Sequence, residues 1–222
     1  MKLYLDTANI DEIKYYNSTL NIEGVTTNPT IICKETPKTI EEVLNPILEI
    51  LNDKQLLFVE VISNDKDSII NEAKQIIKLG KNVVPKIPVS IEGLAAIKQL
   101  SSEGINVLAT AVMQGSQAYL AAINGAKYIA PYYNRMSTYD DGLKQINLMQ
   151  RIIDLNNLDC EIVGAGFHNV KQVEEALVVG VKSLTVTPKI LKEMYDHEGT
   201  RNAIKTFEEN WEGNFQRKTL FR

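Results

Sequence analysis

Short runs of β-branched and other apolar residues alternate with helical patterns along almost the whole chain, and this alternation constrains the fold most. Between the runs, apolar residues such as Ile69, Ile70 and Ala73 recur at helical spacing. Strands that alternate with helices pair as parallel β-α units. Eight strands are predicted, at Lys2–Asp6, Gly24–Thr27, Leu56–Ile62, Asn82–Ile87, Asn106–Val112, Tyr128–Tyr132, Glu161–Ala165 and Ser183–Val186. Eight helices are predicted, at Asp11–Tyr16, Thr39–Asn52, Lys66–Leu79, Ile91–Ser102, Ser116–Ile123, Asp141–Leu155, Val170–Val179 and Pro188–Tyr195.

Eight parallel strands favour an α/β fold of the (β/α)8 TIM-barrel type, in which the strands close into a ring. The 222 residues suit one domain, so we expect a single barrel over residues 1–222. A doubly wound open sheet is the alternative, but its first β-α turn is usually rich in glycine, and Asp6–Asn9 contains none. An extra helix is expected near 200–216. Its residues Phe207, Trp211 and Phe215 share one face, which we expect to pack on the barrel or on a neighbouring subunit.

Composition argues against several classes of function. The formal net charge of −4, without a basic run, is unlike a nucleic-acid-binding surface. The sequence contains no stretch long and apolar enough to predict a membrane span, so we expect a cytoplasmic protein. Cys33 and Cys160 have apolar neighbours and are expected to be free or buried thiols. His168 and His197 lack metal-ligand spacing, so no metal site is predicted.

Ionisable residues interrupt three of the predicted strands. Asp6 ends the first strand, Glu60 lies in the third and Lys86 in the fourth, where alternation places Lys86 on the same face as Val84. A barrel enzyme builds its site at the carboxyl ends of its strands, where these residues would meet. A buried structural ion network is the alternative reading. The matching heights of the three residues favour a catalytic site.

The residue types at this site indicate carbonyl chemistry. Because burial disfavours an ammonium ion, a buried lysine such as Lys86 presents a neutral amine more readily, and that amine attacks carbonyls. The resulting iminium stabilises a carbanion on the adjacent carbon, and a carboxylate can move the protons. Thr110 and Tyr132, near the ends of the fifth and sixth strands, could hold a water molecule. Such chemistry asks for no metal or other cofactor.

The sequence resembles the small transaldolase family, which includes the fructose 6-phosphate aldolases, over essentially its full length. The combination of the Thr-Thr-Asn-Pro segment with the lysine motif is highly specific. The resemblance is carried by Leu5-Asp6-Thr7-Ala8, Gly24-Val25-Thr26-Thr27-Asn28-Pro29-Thr30, Val84-Pro85-Lys86-Ile87-Pro88, Gly93-Leu94-Ala95-Ala96-Ile97-Lys98 and Ala130-Pro131-Tyr132-Tyr133-Asn134-Arg135.

The resemblance implies catalytic roles for the strand-end residues. Lys86 matches the Schiff-base lysine, and Asp6 matches the acid/base at the carbon being cleaved. Glu60, Thr110 and Tyr132 match the residues that hold and activate the catalytic water. The implied reaction cleaves or transfers a dihydroxyacetone unit of a ketose such as fructose 6-phosphate.

The resemblance also implies substrate-binding residues. Thr26 and Asn28 match residues around the sugar hydroxyls, and Arg135 matches a cation that binds the substrate phosphate. Where the family commonly presents serine and a cation after the seventh strand, this chain has Gly166 and His168. Backbone amides near Gly166 could still bind an anion there. A sugar without phosphate is therefore an open alternative.

The branches of the family differ at three positions, and this chain is mixed. Glu60 is transaldolase-like, whereas Leu108 and Tyr132 are aldolase-like. The function therefore leans towards fructose 6-phosphate aldolase, with a true transaldolase of the pentose phosphate pathway as the alternative. A non-catalytic sugar-phosphate-binding protein and a barrel isomerase without a covalent intermediate are more remote. By resemblance we expect a homo-oligomer, with rings of five that pair into ten.

Overall fold

Eight parallel strands close into a barrel in the computed structural model, which describes residues 1–36 and 39–221. Each strand pairs with the next in sequence, and β8 pairs with β1 to close the ring. The predicted (β/α)8 barrel is confirmed, although residues 37, 38 and 222 of the predicted domain lie outside the described residues. The strands are β1 (Lys2–Asp6), β2 (Gly24–Thr26), β3 (Leu56–Glu60), β4 (Val83–Pro88), β5 (Leu108–Val112), β6 (Tyr128–Pro131), β7 (Glu161–Gly164) and β8 (Ser183–Val186).

Helices connect the strands on the outside of the ring. A short 3-10 helix, Ile77–Leu79, extends α4 towards β4. The α-helices are α1 (Ile10–Thr19), α2 (Pro29–Lys34), α3 (Glu41–Ile50), α4 (Lys66–Ile76), α5 (Ile91–Ser102), α6 (Gly115–Ile123), α7 (Tyr133–Tyr139), α8 (Gly142–Leu155), α9 (Val170–Val179), α10 (Pro188–Tyr195) and α11 (Glu198–Phe215).

The predicted strand over Leu56–Ile62 is too long, because a side chain ends it early. The backbone N–H groups of Ile62 and Ser63 donate to the carboxylate of Glu72 on α4 instead of continuing the ladder. The strand therefore stops at Glu60. Glu60 is thus the last strand residue, at the carboxyl end of the barrel.

Two short helices, α2 and α7, were not predicted. Helix α2 begins at Pro29, and the side chain of Asn28 accepts the Ile31 N–H as its cap. Helix α7 begins at Tyr133, directly after the strand-end residue Tyr132. Both helices start at the carboxyl ends of strands, so they position the residues that follow β2 and β6.

The barrel interior is filled by side chains and is not a channel. Tyr4 packs edge-to-face on Phe58, whose ring packs in the same way on Tyr128, each pair at 5.3 Å between centroids. Val84 and Leu108 belong to the same inner cluster, while other residues of these strands face the helices. The predicted alternation therefore holds for β4, and Lys86 lies above a packed apolar floor.

Glycine permits a close approach between α5 and the strand that carries Lys86. A Cβ atom added at Gly93 would lie 1.9 Å from the carbonyl oxygen of Pro88 at the end of β4. Any larger residue would push α5 away from that strand. The side chain of Ser90 caps the same helix by accepting the Gly93 N–H.

The last helix, α11, stands away from the described part of its own barrel. The helix has 18 residues, none of them buried, and Phe207 and Phe215 are 68% and 54% exposed. Trp211 and Phe215 stack at 4.2 Å between ring centroids. The aromatic face expected from the sequence is therefore present and largely uncovered in the single chain.

The two cysteines are free thiols, with Cys33 exposed and Cys160 buried, as the sequence predicts. Burial raises the pKa of the Cys160 thiol to about 11. Among the described residues, no helix has the length and apolar character needed to cross a membrane.

A bulge near the end of β5 forces an alanine into an uncommon conformation. Between the pairs Ala109–Ile129 and Val112–Pro131, β5 contains one residue more than β6. Ala111 takes up the extra length at φ 55°, in the left-handed region that non-glycine residues rarely adopt. The bulge follows Thr110 directly, so it fixes how this buried side chain points.

We predict that substitutions of Ala111 will report this strain. Ala111→Val should lower the free energy of unfolding by about 1–3 kcal/mol, because a β-branched side chain crowds the backbone at positive φ. Ala111→Gly should change it by less than about 1 kcal/mol, since relieved strain offsets the entropy of glycine. Urea denaturation measures both, and Ala122→Val in α6 is the matched control. Equal losses for Ala111→Val and Ala122→Val would contradict a strained bulge.

Candidate active site

A cavity of about 190 Å3 opens at the carboxyl ends of the strands. The predicted site residues other than Glu60 and Thr110 line it. Glu60 lines the shallower depression next to it, together with Asp6 and Tyr132, while Thr110 is fully buried. The lining of the cavity consists of Asp6, Thr26, Asn28, Lys86, Leu108, Ala130, Tyr132, Arg135, Val163, Ala165, Gly166, His168 and Thr185.

Lys86 lies at the bottom of the polar part of this cavity and is 4% exposed. Its Nζ donates a hydrogen bond of 2.6 Å to the backbone carbonyl of Thr27. Register pairs Lys86 with Glu60 on β3 and with Leu108 on β5. The amine is therefore held in place by neighbouring strands, largely out of water.

Glu60 is the nearest carboxylate to the amine. Its Oε2 lies 3.3 Å from Lys86 Nζ, and the side chain is 12% exposed. The same oxygen is buried and accepts no well-aligned hydrogen bond from the described residues. Because buried polar atoms are rarely left unpaired, this oxygen is free to accept a proton or a hydroxyl from a ligand.

Asp6 faces the same cavity from β1. Thr26 Oγ1 donates to Asp6 Oδ1 at 2.7 Å, and Thr185 Oγ1 lies 2.6 Å from Thr26 Oγ1. Burial raises the pKa of Asp6, while the charge of Lys86 and the Thr26 hydrogen bond oppose the rise in part. Asp6 therefore holds a proton up to a higher pH than an exposed aspartate does, which suits a group that exchanges protons.

Tyr132 and Thr110 form a hydroxyl pair beside the carboxylates. Their oxygens are 2.9 Å apart. Burial, with the nearby charge of Glu60, raises the pKa of Tyr132 to about 12. The phenol is therefore protonated at neutral pH and can donate a hydrogen bond into the cavity.

The rim of the cavity carries two exposed basic side chains, Arg135 and His168. The Arg135 guanidinium lies 5.3 Å from the centre of the Tyr132 ring and forms no ion pair with the described residues. Gly166 adopts φ 69°, which a serine would adopt only with strain.

Gln172 of α9 ties the rim together. Its Oε1 accepts the His168 N–H at 2.7 Å, and its Nε2 donates to Asn134 Oδ1 at 3.1 Å. The backbone amide of His168 is therefore engaged by Gln172. For the other backbone amides near Gly166, the anion-binding role suggested by the sequence stays a prediction. Arg135 supplies an exposed guanidinium at the rim, and the His168 side chain lies exposed beside it.

Two groups at this site were not predicted from the sequence, the Thr27 carbonyl and the Thr185 side chain. The Thr27 carbonyl is a backbone group, and no side-chain pattern indicates it. The sequence does contain a pattern that indicates Thr185. Ser183 and Thr185 alternate with apolar residues in β8, as Asp6 and Lys86 do in their strands. A search for hydroxyls at strand ends would have found Thr185.

The fold and the site define a (β/α)8 barrel with a buried lysine–carboxylate pair at the carboxyl ends of its strands. Residues 3–221 match the family described as Transaldolase/Fructose-6-phosphate aldolase, and the chain belongs to this family. The members that give the family its name are transaldolases and fructose-6-phosphate aldolases.

Solved structures of other proteins share the fold. A mutant flavocytochrome b2 with benzoylformate is 15% identical, with a TM-score of 0.60 over 97% of this chain. A second flavocytochrome b2 mutant is 14% identical, with a TM-score of 0.61 over 98% of this chain. The chain spans 64% of the length of each. At these identities the similarity concerns the barrel fold alone.

The raised pKa of Asp6 predicts a pH-dependent stability difference between the protein and its Asp6→Asn variant. The folded state holds this proton more tightly than the unfolded chain. The free energy of unfolding therefore falls as pH rises from the ordinary value of 3.8 through the raised folded value. Asn cannot ionise, so the stability of the variant relative to the parent should increase over that window and be constant below it.

Urea denaturation across this pH range measures the difference in unfolding free energy between Asp6→Asn and the parent. The contributions of the other carboxylates are common to both proteins and cancel in this difference. Asp11→Asn, at an exposed position of α1, is the matched control for the loss of one carboxylate. A relative stability of Asp6→Asn that decreases with pH would show that the folded protein favours the ionised form of Asp6.

Proposed function

We propose that this chain is a Schiff-base aldolase or transaldolase that acts on a dihydroxyacetone unit of a ketose such as fructose 6-phosphate, leaning towards aldolase cleavage. The main support for this proposal is the position of the Lys86 amine, which is buried at the cavity floor. Glu60 lies 3.3 Å from this amine, and Asp6 lines the same cavity. An imine on this lysine supplies the electron sink, so the proposal needs no cofactor.

The first step joins Lys86 to the substrate. Glu60 accepts a proton from the ammonium, directly or through one water, and the free amine adds to the C2 carbonyl. The carbinolamine then loses its hydroxyl as water, with the proton returned from Glu60, and leaves an iminium. The Thr27 carbonyl fixes the position of the nitrogen from which this attack starts.

The second step breaks the carbon–carbon bond. Asp6 takes the proton of the C4 hydroxyl, the C3–C4 bond breaks, and its electron pair moves to the iminium to give an enamine. The departing fragment leaves as an aldehyde. The raised pKa of Asp6 supports this assignment, because a carboxylate that is more basic than usual removes the hydroxyl proton more readily.

The fate of the enamine separates the two activities. Protonation at C3 and hydrolysis release free dihydroxyacetone, whereas attack on a second aldehyde transfers the unit. The protonated Tyr132 hydroxyl, bonded to Thr110, favours protonation through a held water. Glu60 favours the alternative, a true transaldolase that converts sedoheptulose 7-phosphate and glyceraldehyde 3-phosphate into erythrose 4-phosphate and fructose 6-phosphate.

Arg135 and His168 support binding of a phosphorylated sugar at the rim. An arginine without an ion-pair partner among the described residues offers its planar fork to phosphate oxygens. His168 adds an imidazole at the same rim, which can donate a hydrogen bond to a phosphate oxygen. Thr26 and Asn28 line the inner wall, where sugar hydroxyls would lie. Leu108 closes the cavity beside Lys86 with an apolar surface.

Reduction with borohydride tests the covalent step. With dihydroxyacetone or fructose 6-phosphate present, borohydride should convert the imine into a stable amine. Peptide mass mapping should then find Lys86 heavier by the mass of one ligand less one oxygen atom, because imine formation expels water and reduction adds two hydrogen atoms. Lys86→Met should abolish both the labelling and the turnover. Lys98→Met is the matched control, since Lys98 is exposed on α5, and it should label like the parent.

Label on lysines other than Lys86, or no label under turnover, would contradict the Schiff base and favour a barrel isomerase or a sugar-phosphate-binding protein. Measuring free dihydroxyacetone with and without erythrose 4-phosphate then separates cleavage from transfer. The aldolase proposal expects release without the aldehyde. No release in either condition, with transfer of the unit to erythrose 4-phosphate, supports the transaldolase.

We also propose that α11 packs on a neighbouring copy of the chain. The support is an apolar face, including Ile204 and Phe207, that stays exposed along a helix with no buried residue. Covering such a face favours association. The family resemblance gives rings of five that pair into ten as the expected assembly.

Sedimentation velocity tests this assembly. The parent should sediment as a multiple of 24.9 kDa, and the double variant Phe207→Ser, Phe215→Ser should shift towards smaller species. Tyr139→Ser, which removes an aromatic residue that is 82% exposed outside α11, is the control and should sediment like the parent. A monomeric parent would contradict the proposal.

A further inference from the structure

Three side chains from adjacent strands form a hydrogen-bonded row that ends at Asp6. Thr185 of β8 contacts Thr26 of β2 at 2.6 Å, and Thr26 contacts Asp6 of β1 at 2.7 Å. Strand β1 pairs with both β2 and β8, so the row crosses the inside of the barrel over a single strand. Thr185 and Thr26 are 4% and 1% exposed, so water competes little for these bonds.

Counting protons fixes the direction of the row. An ionised carboxylate only accepts hydrogen bonds, so the single hydroxyl proton of Thr26 is committed to Asp6. The contact between Thr26 and Thr185 then has one proton left, and Thr185 must supply it. While Asp6 is ionised, the donors therefore run from Thr185 to Thr26 to Asp6.

We propose that Thr185 is a positioning residue for Asp6, acting through Thr26 in the carbon–carbon cleavage step. The inference rests on the proposed function, because it gives Asp6 the proton transfer at C4. Linked hydrogen bonds strengthen one another, so the Thr185 proton makes Thr26 a better donor and holds the carboxylate towards the cavity. All three residues of the row line that cavity.

The hydrogen bonds of the row can also reverse their direction when the Asp6 carboxyl group gains a proton. With the proton on Oδ1, Asp6 donates to Thr26, Thr26 donates to Thr185, and Thr185 turns its own proton into the cavity. The same oxygen positions serve both protonation states. Asp6 thus keeps its place while it takes the C4 proton and later returns it, which requires a hydroxyl at both positions of the row.

Substitution of Thr185 separates this role from imine formation. Thr185→Val keeps the shape of the side chain and removes its hydroxyl. We expect kcat for aldehyde release to fall by about 3- to 30-fold, which is less than the loss expected when a general base itself is removed. The KM for the ketose and the borohydride labelling of Lys86 should stay within about twofold of the parent. Thr185→Ser should restore most of the lost kcat.

Ser183→Ala is the matched control, because Ser183 is a buried hydroxyl on the same strand that donates to the Ile162 carbonyl, outside the row. Thermal unfolding of each variant checks that the fold persists. Normal kcat in Thr185→Val, or failure of Thr185→Ser to restore a lost kcat, would overturn the inference while labelling of Lys86 still supports the proposed function. Absence of labelling in the parent would instead overturn the proposed function.

Discussion

One hydrogen bond and one ion pair at Lys86 determine how the rest of the site can work. The amine lies between the Thr27 carbonyl at 2.6 Å and the Glu60 carboxylate at 3.3 Å. Glu60 ends β3 and Thr27 directly follows β2, so closure of the barrel fixes both partners. The packed floor below prevents the lysine from retreating inwards. The geometry therefore holds an amine at the base of an open cavity, with a carboxylate at its side.

The buried groups of this site lower the stability of the folded protein. Burying charged groups costs free energy even when they are paired, and the raised pKa of Asp6 shows that burial outweighs its attraction to Lys86. The strained Ala111 at the β5 bulge adds a backbone cost next to Thr110. The apolar core between strands and helices compensates for these local costs. Unfavourable groups are thus concentrated at the carboxyl end of the barrel, where substrate would bind.

Sequence patterns predicted the barrel because alternating β and α periods leave few alternatives for parallel strands. They also found Asp6 and Lys86, since ionisable residues in apolar strands are conspicuous. Helices α2 and α7 were not predicted because each is short and begins directly after a strand. At the start of α2, the Asn28-Pro29 pair suggests a turn instead. The Thr27 carbonyl has no side-chain pattern at all. Tertiary proximity, such as that of Thr185 to Thr26, depends on ring closure and cannot be read from spacing alone.

The central claim is that Lys86 forms a covalent bond with a keto sugar, and carbon NMR tests it without a reductant. Dihydroxyacetone labelled with carbon-13 at its carbonyl is added to protein whose lysine side chains carry nitrogen-15. The account predicts a one-bond carbon–nitrogen coupling in the parent that is lost in Lys86→Met. Only ketone and hydrate signals in the parent, at ligand concentrations that saturate binding, would contradict it.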